Sequence, residues 1–316
     1  MEYGQIRLTA EKIMNNVGKV IIGKEEQLSL ITAALIAGGH VLIDDVPGTG
    51  KTVLARSLAG SIAGDFSRVQ FTPDLLPADV TGMRVFQPAT GEFVFVPGPV
   101  FTNILLADEI NRATPRTQSA LLECMQEGQV TEGGKTMPLE KPFLVIATEN
   151  PVETQGTFPL PEAQLDRFML RVRMGYPNEE EALSIMRRFL SDDPLERLQP
   201  VTDRAAVRDA QEAFSRCRVS EAVMRYIAAL CEATREEERV LLGVSPRGML
   251  ALLRASQALS AIQGRDYVIP DDVKRLAVPV LAHRLVMKGL FGDSRADEKL
   301  IGEILQKVPA PTEDVA

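Results

Sequence analysis

Cysteine, histidine and long apolar runs are all scarce in this chain, and each scarcity excludes a class of protein. Of 316 residues, 3 are cysteine and 2 are histidine. Cys124, Cys217 and Cys231 form no close pair, and only His40 and His283 could join them, so neither a disulfide framework nor a zinc cluster is available. The thiols are expected to be small buried hydrophobes. No apolar run approaches the roughly 18 residues that a membrane span needs, and MEYGQIRLTAEK lacks the apolar centre of a secretory signal. A cytoplasmic protein with no membrane span is therefore expected. An excess of positive charge is missing too. A net charge of −8 argues against a surface built to lie along nucleic acid, although a local basic stripe stays open. With no low-complexity tract and 45% hydrophobic residues, the chain can bury a large core and is expected to divide into two domains.

What is present is a phosphate-binding loop. In VLIDDVPGTGKTVLARSL, residues 41–58, an apolar run breaks at a Gly-rich turn that opens a helix. Val41 to Ile43 read as a buried parallel strand, Val46 to Gly50 as the turn, and Lys51 onward as a helix with Val53, Leu54 and Leu58 inward. Gly48 and Gly50 let backbone N–H groups approach an oxyanion, and the helix offers its positive N-terminus to the same place. With Pro47, Thr49 and Val53, they are the candidate ATP-binding residues. Lys51 would reach the β- and γ-phosphates, and the Thr52 hydroxyl would ligate Mg²⁺. In G-x-x-x-x-G-K-[ST] the first Gly falls at Asp45, so the turn must accept a side chain there, which Asp tolerates better than most residues. The competing reading is a Gly-rich turn with an incidental Lys.

Upstream, helices are expected over Ala10 to Val17 and through Leu28, Ile31, Ala34 and Leu35, the second ending at Gly38-Gly39. Between them, Ile21, Ile22 and Gly23 suit either the wall of an adenine pocket or a hydrophobic staple. Downstream, Arg68 to Phe71 form a second strand. MRVFQPATGEFVFVPGP then alternates around Ala89-Thr90-Gly91, a hairpin signal at 83–97 leaving through Pro-Gly-Pro. Asn103 to Asp108 is a buried strand ending in two acids, at the end where open parallel sheets place ligands. Asp108 could hold Mg²⁺, and Glu109 could orient and deprotonate a water; a plain acidic pair closing a strand is the alternative. Thr114-Pro115 caps a helix that ends at Gly128, 129–139 is a second hairpin, and Phe143 to Thr148 is another buried strand. Asn150, just beyond it, could bond the γ-phosphate or the attacking water, or be a turn residue.

These residues spell a family. DEINRATPRTQSALLECMQEGQVT, PFLVIATENP and GTFPLPEAQLDRF, preceded by HVLIDDVPGTGKT, together resemble the MoxR family of AAA+ ATPases over nearly the whole chain. The resemblance implies an α/β fold: an AAA+ αβα P-loop core with a parallel sheet, residues 1–176, and a smaller all-helical lid, residues 177–316. It makes 83–97 the insert after strand two and 129–139 the hairpin before sensor 1, with Asn150 as sensor 1 and Arg167 as the arginine finger. It also implies ATP and Mg²⁺ as ligands, a homo-oligomeric ring, expected to be a hexamer, and a protein substrate or von Willebrand factor A domain partner. Glu149 stands where members often carry Gln, and Cys124 where they often carry a small residue. The first could alter how Asn150 is held. Asp45 is common at its position in this family.

Arg167 also has a local reading, closing a helix from Pro161 to Phe168 against its C-terminal dipole. Asn178 with Glu181 forms a capping box, and from there helices are expected without further strands of comparable quality. Arg235 to Arg239 read as a solvated charge run. Ser245-Pro246-Arg247 gives a cap, Pro at the first helical position and an Arg in the first turn, where it could meet a phosphate; this matches sensor 2 in the family, and an Arg snorkelling over the lid is the alternative. Asp266 to Lys288 completes the lid as the family does. Two other functional classes stay open. A nucleic-acid motor would want Lys, Arg or aromatic residues at its hairpin tips, which here read Pro-Ala-Thr-Gly-Glu and Gly-Gly-Lys. A nucleotide-regulated binding module would require Glu109 or Arg167 not to act. A GTP switch lacks its Asn-Lys-x-Asp segment.

Overall fold

The computed structural model describes residues 1–46, 48–150, 156–190, 194–289 and 295–312, without the side chain of Phe189. Pro47, one of the expected ATP-binding residues, lies outside the described residues. The chain opens with helices α1 (Tyr3–Gly18) and α2 (Glu25–Ala37); α2 stops where Gly38 adopts a left-handed φ of 67°. Strand β1 (Val41–Asp44) leads through the Gly-rich turn into α3 (Lys51–Ser61), and β2 (Phe66–Gln70) and the short α4 (Pro77–Thr81) follow. Strands β3 (Gly82–Gln87) and β4 (Glu92–Pro97) form the expected hairpin, and β5 (Ile104–Asp108) ends in the acidic pair. Helix α5 (Pro115–Glu127) starts with Pro at its first turn and ends at left-handed Gly128. The Thr114 hydroxyl makes no cap bond, so only the position of that cap was foreseen. Strands β6 (Gln129–Glu132) and β7 (Lys135–Pro138) form the second hairpin, and β8 (Leu144–Glu149) follows.

Strand β9 (Leu170–Val172), preceded by the single turn α6 (Glu162–Leu165), was not anticipated from sequence. At three residues, set among arginines, it carries too little pattern to be recognised. It completes a parallel five-stranded sheet in the order β2-β5-β8-β1-β9. Both faces are buried. Val41, Ile43, Leu106 and Ile146 pack into one apolar cluster, while Leu42, Leu105, Val145 and Ala147 pack into another. His40, just before β1, is fully buried, with Nδ1 accepting from Val145 N–H at 3.0 Å and Nε2 against the Met125 carbonyl at 2.9 Å; burial pushes its pKa down to about 4.

The remainder is helical: α7 (Glu179–Phe189), α8 (Arg204–Ala213), α9 (Glu221–Glu236), then β10 (Val240–Leu242), α10 (Pro246–Ile262), α11 (Pro270–Leu281), β11 (Val286–Met287) and α12 (Ala296–Lys307). The capping box is present, with Glu181 N–H on Asn178 Oδ1 and Asn178 N–H on Glu181 Oε2, each at 2.9 Å. The lid is not wholly helical. Strands β10 and β11 pair antiparallel across a register irregularity, held by distant chain segments rather than by a local hairpin signal. The Arg235–Arg239 run is solvated as expected, with Arg235, Glu236, Glu238 and Arg239 exposed, although Arg235 Nε also donates to the Val244 carbonyl at 2.9 Å. One apolar cluster runs without a break from the sheet through α1 and α2 into α8, α9, α10 and α11.

The β3–β4 hairpin stands away from both clusters, exposing Val85, Phe86, Phe93, Val94 and Val96. Its base is pinched. A Cβ on Gly98 would lie 2.4 Å from the Val80 carbonyl and from Gly82 N, both rigid backbone. Gly98→Ala is therefore expected to cost about 2 kcal/mol in urea unfolding through forced overpacking. Gly91→Ala at the tip, with open space around it but φ of +70°, should cost only about 1 kcal/mol.

Candidate functional site

The parallel sheet ends β1, β5 and β8 at one edge, and the polar residues just beyond them converge there. Asp45 follows β1 and does more than tolerate the turn. Its Oδ1 accepts from Val46 N–H at 2.8 Å and its Oδ2 from Gly175 N–H at 2.6 Å, tying the loop to the segment that leaves β9. Gly48 and Gly50 take φ of +86° and +83°, and nothing lies within 4 Å of where a Gly48 Cβ would stand. Lys51 Nζ donates to the Asp45 carbonyl at 2.8 Å. Burial pushes the ammonium pKa down, while Asp108, Asp45, Glu109 and Asp44 pull it back up.

At the end of β5, one hydroxyl organises both acids. Thr148 Oγ1 donates to Asp108 Oδ1 at 2.6 Å and accepts from Glu109 N–H at 2.8 Å. Asp108 Oδ2 accepts from Arg68 Nη2 at 2.7 Å, and Glu109 Oε2 accepts from Gln70 Nε2 at 2.7 Å and from Arg112 Nη1 at 3.0 Å. Glu109 sits at φ 55°, ψ 50°, a left-handed conformation that costs a non-glycine residue about 1 kcal/mol or more and clusters at functional sites. The turn sends the two carboxylates different ways.

Gly48, Gly50, Lys51, Thr52, Val53, Arg68, Gln70, Asp108, Glu109 and Asn150 line one cavity of about 420 Å³. Its donor set fits a polyphosphate with a hard cation: loop glycines and Lys51 for anionic oxygens, and a hydroxyl and a carboxylate, Thr52 and Asp108, for a metal that keeps most of its ligands as water and phosphate oxygen. Among the described residues there is no cluster of His, Cys, Asp or Glu able to hold a metal by itself. Thr49 bonds back to the Val46 carbonyl from the turn at 3.3 Å. Ile21, Ile22 and Gly23 do not line this cavity; Ile21 Cδ1 lies 3.8 Å from where a Gly50 Cβ would stand. Gly23 faces Glu181 of α7.

Arg167 and Arg247 are brought together, but elsewhere. They line a second cleft of about 330 Å³ with Met125, Asp166, Arg254 and Arg284. The helix expected to end at Arg167 is only the turn Glu162–Leu165, so a C-terminal dipole cannot be its reason; Phe168 is drawn into the core instead. Arg167 Nε is buried without a hydrogen-bond partner. Ser245 Oγ caps α10 by accepting from Gly248 N–H at 3.1 Å, placing Arg247 in the first turn as expected.

Sequence reasoning missed Arg68, Gln70, Arg112 and Thr148. A signal existed for the first two: Arg68 and Gln70 alternate with Ser67 and Val69 on a strand whose register sets Gln70 opposite Asp108. Nothing local marks Thr148. Glu149 is also informative. It pairs with Asp44 across β8 and β1, and burial, with Asp44 adding repulsion and Arg171 opposing, pushes its pKa up to about 7.

The fold and this edge define the chain as a P-loop nucleotide-binding protein of the AAA+ class, with a parallel αβα core and an attached lid. Sequence profiles agree: that of the ATPase family associated with various cellular activities (AAA) matches residues 40–170, and that of the AAA lid domain matches residues 232–306. Chaperone MoxR1 of Mycobacterium tuberculosis is 40% identical over 96% of this chain and 82% of its own. Uncharacterized protein YeaC of Bacillus subtilis is 47% identical over 96% and 95%. The crystal structure of a "putative ATPase" from Cytophaga hutchinsonii superposes with a TM-score of 0.88 at 38% identity, covering 98% and 97% of the two chains. This chain belongs to the MoxR family of AAA+ ATPases.

A folded-state Glu149 pKa above its unfolded value means that the folded state binds more protons between about pH 4.5 and 7, so stability falls as pH rises through that window. Glu149→Gln should match the parent near pH 4.5 and exceed it above pH 7 by on the order of 2 kcal/mol, read by chemical unfolding across pH. Equal differences at both ends would contradict the assignment.

Proposed function

We propose that this chain binds ATP with Mg²⁺ at the sheet edge, hydrolyses it within a homo-oligomeric ring, a hexamer by family likeness, and uses the cycle to remodel, mature or assemble a protein partner. The observation that carries this reading is the single cavity uniting Gly48, Gly50, Lys51, Thr52, Asp108, Glu109 and Asn150. In it, the Lys51 ammonium exchanges the Asp45 carbonyl for phosphate oxygens, and loop N–H groups accompany it. Mg²⁺, held by Thr52 and Asp108, would neutralise phosphate charge. Glu109 takes a proton from the attacking water, oriented by its bonds to Gln70 and Arg112 until then. Asn150 orients that water or the γ-phosphate. Ile21, Ile22 and Gly23 would give the adenine side its apolar wall.

Arg167 and Arg247 lie off the phosphate cavity of their own chain, which favours action on nucleotide held by a neighbouring subunit. A cation with a buried, unpartnered Nε is the kind that gains most from meeting an incoming phosphate. A protein partner is favoured by the relative named as a chaperone and by the apolar side chains exposed on the β3–β4 hairpin; a von Willebrand factor A domain is the class we propose. Against nucleic acid as the substrate, the two hairpin tips, Pro-Ala-Thr-Gly-Glu and Gly-Gly-Lys, carry one lysine and no aromatic residue. No described helix is long and apolar enough to cross a membrane, and we propose a cytoplasmic location.

Lys51→Ala is expected to lose ATP binding with unchanged circular dichroism. Glu109→Gln should bind ATP yet turn it over on the order of 100-fold to 10,000-fold more slowly, since the amide keeps the shape and loses the base. Unchanged turnover would move the base elsewhere. The trapped Glu109→Gln protein is also the bait for isolating the partner.

Sedimentation with and without a Mg²⁺-ATP analogue should show nucleotide-favoured assembly. Arg167→Ala and Glu109→Gln, each inactive, should regain ATPase activity when mixed, because some interfaces then pair an intact base with an intact arginine. A monomer under all conditions, or mixed rings without recovery, would overturn the shared site.

A further inference from the structure

Asp166 directly precedes Arg167, and its carboxylate is engaged on both oxygens by the lid. Oδ1 accepts from Arg284 Nε at 2.7 Å, and Oδ2 accepts from the Ser245 hydroxyl at 3.0 Å. Ser245 uses its hydroxyl twice, donating to Asp166 while its oxygen accepts from Gly248 N–H to cap α10. One bond therefore links the turn carrying Arg167 to the first turn of the helix carrying Arg247.

The other grip is rigid. The Arg284 side chain is 2% exposed, and its guanidinium also donates to the carbonyls of Asp166, Phe168, Met169 and Val280. The first turn of α10 rests directly on it: a Cβ on Gly248 would lie 2.6 Å from Arg284 Cδ. Four cations, Arg167, Arg247, Arg254 and Arg284, thus line one cleft, and the Arg247 charge reaches Arg284. Like charges at this range repel, so their spacing needs an anion with fixed geometry. Among the described residues lining the cleft, Asp166 is the acid.

We propose that Asp166, through its simultaneous bonds to Arg284 and Ser245, is the positioning residue that presents Arg167 and Arg247 as one unit to a nucleotide. Arg167 and Arg247 are then set together and lost together. This rests on the reading above that both arginines serve the neighbouring subunit's ATP.

Ser245→Asp tests the joint without touching either arginine. Aspartate caps a helix as well as serine does, but it places a second carboxylate against Asp166 and replaces the hydrogen bond by repulsion. ATP binding and KM should stay near the parent values while kcat falls on the order of 10-fold to 100-fold. Ser245→Thr, which keeps the hydroxyl, should recover most of the turnover. Mixing Ser245→Asp with Glu109→Gln should restore activity, because the defect lies in what the subunit lends and not in its own base. A parental kcat in Ser245→Asp overturns the proposal. So does a loss that mixing fails to restore while Arg167→Ala is restored in the same assay, since that marks damage within the subunit. If Arg167→Ala is not restored either, the shared-site reading fails and this proposal goes with it.

Discussion

The structure depends on parallel pairing of β1 between β8 and β9, with the register Asp44 opposite Glu149 and Ile43 opposite Val172. Parallel strands must all run out at the same edge, and a sheet covered on both faces leaves that edge as the place where polar side chains can gather. Asp45, Asp108, Thr148 and Asn150 gather at one edge for that reason, although they come from three separated segments. The apolar strands do not touch a ligand, but a one-residue slip of β5 against β8 would separate Asp108 from Thr148 and turn every side chain over.

A second constraint is electrostatic. At this edge, acids are held by cations, Asp108 by Arg68, Glu109 by Arg112 and Asp44 by Arg173, and in the second cleft Asp166 is held by Arg284. Arg173 also reaches Glu298 of α12 at 3.2 Å, and Arg171 bonds Asp297, so the last helix is anchored to the strand beside the phosphate loop. Partly buried pairs of this kind add little net stability, because desolvation offsets most of the Coulomb gain, but breaking one leaves a charge stranded. They fix geometry more than they stabilise. Glu149 shows the opposite balance: burial first, then repulsion from Asp44, with Arg171 opposing only in part, hold its proton until near neutrality.

The lid follows the same logic on a larger scale. Its apolar helices merge with α1 and α2 into one cluster, so burial fastens it to the core, while Asp166, Ser245 and Arg284 set the orientation at the contact. Hydrophobic contact is non-directional, and hydrogen bonds to a carboxylate are not. That division of labour suits a joint on which the placement of two arginines depends.

The sequence by itself determined the sheet strands that carry strong pattern, both hairpins, the phosphate loop and the helix starts marked by Asn178, Ser245 and Pro115. Those signals are local: period-two alternation, glycine at left-handed positions, and caps that need only neighbouring backbone. It also put Lys51 and Thr52 at a helix start and Asp108, Glu109 and Asn150 at strand ends, and these meet in one cavity. Only the tertiary structure decided that Arg68 and Gln70 face the acids, that one threonine orients both, and that Arg167 and Arg247 share a cleft apart from the phosphate loop. It alone revealed β9 and the β10–β11 ladder, and it shortened the helix expected from Pro161 to Phe168 to the turn Glu162–Leu165. The physical reason is range. Each of these is fixed by a partner tens to more than a hundred residues away, as Asp166 is by Arg284, and no local pattern in a chain encodes which distant side chain will satisfy a given charge.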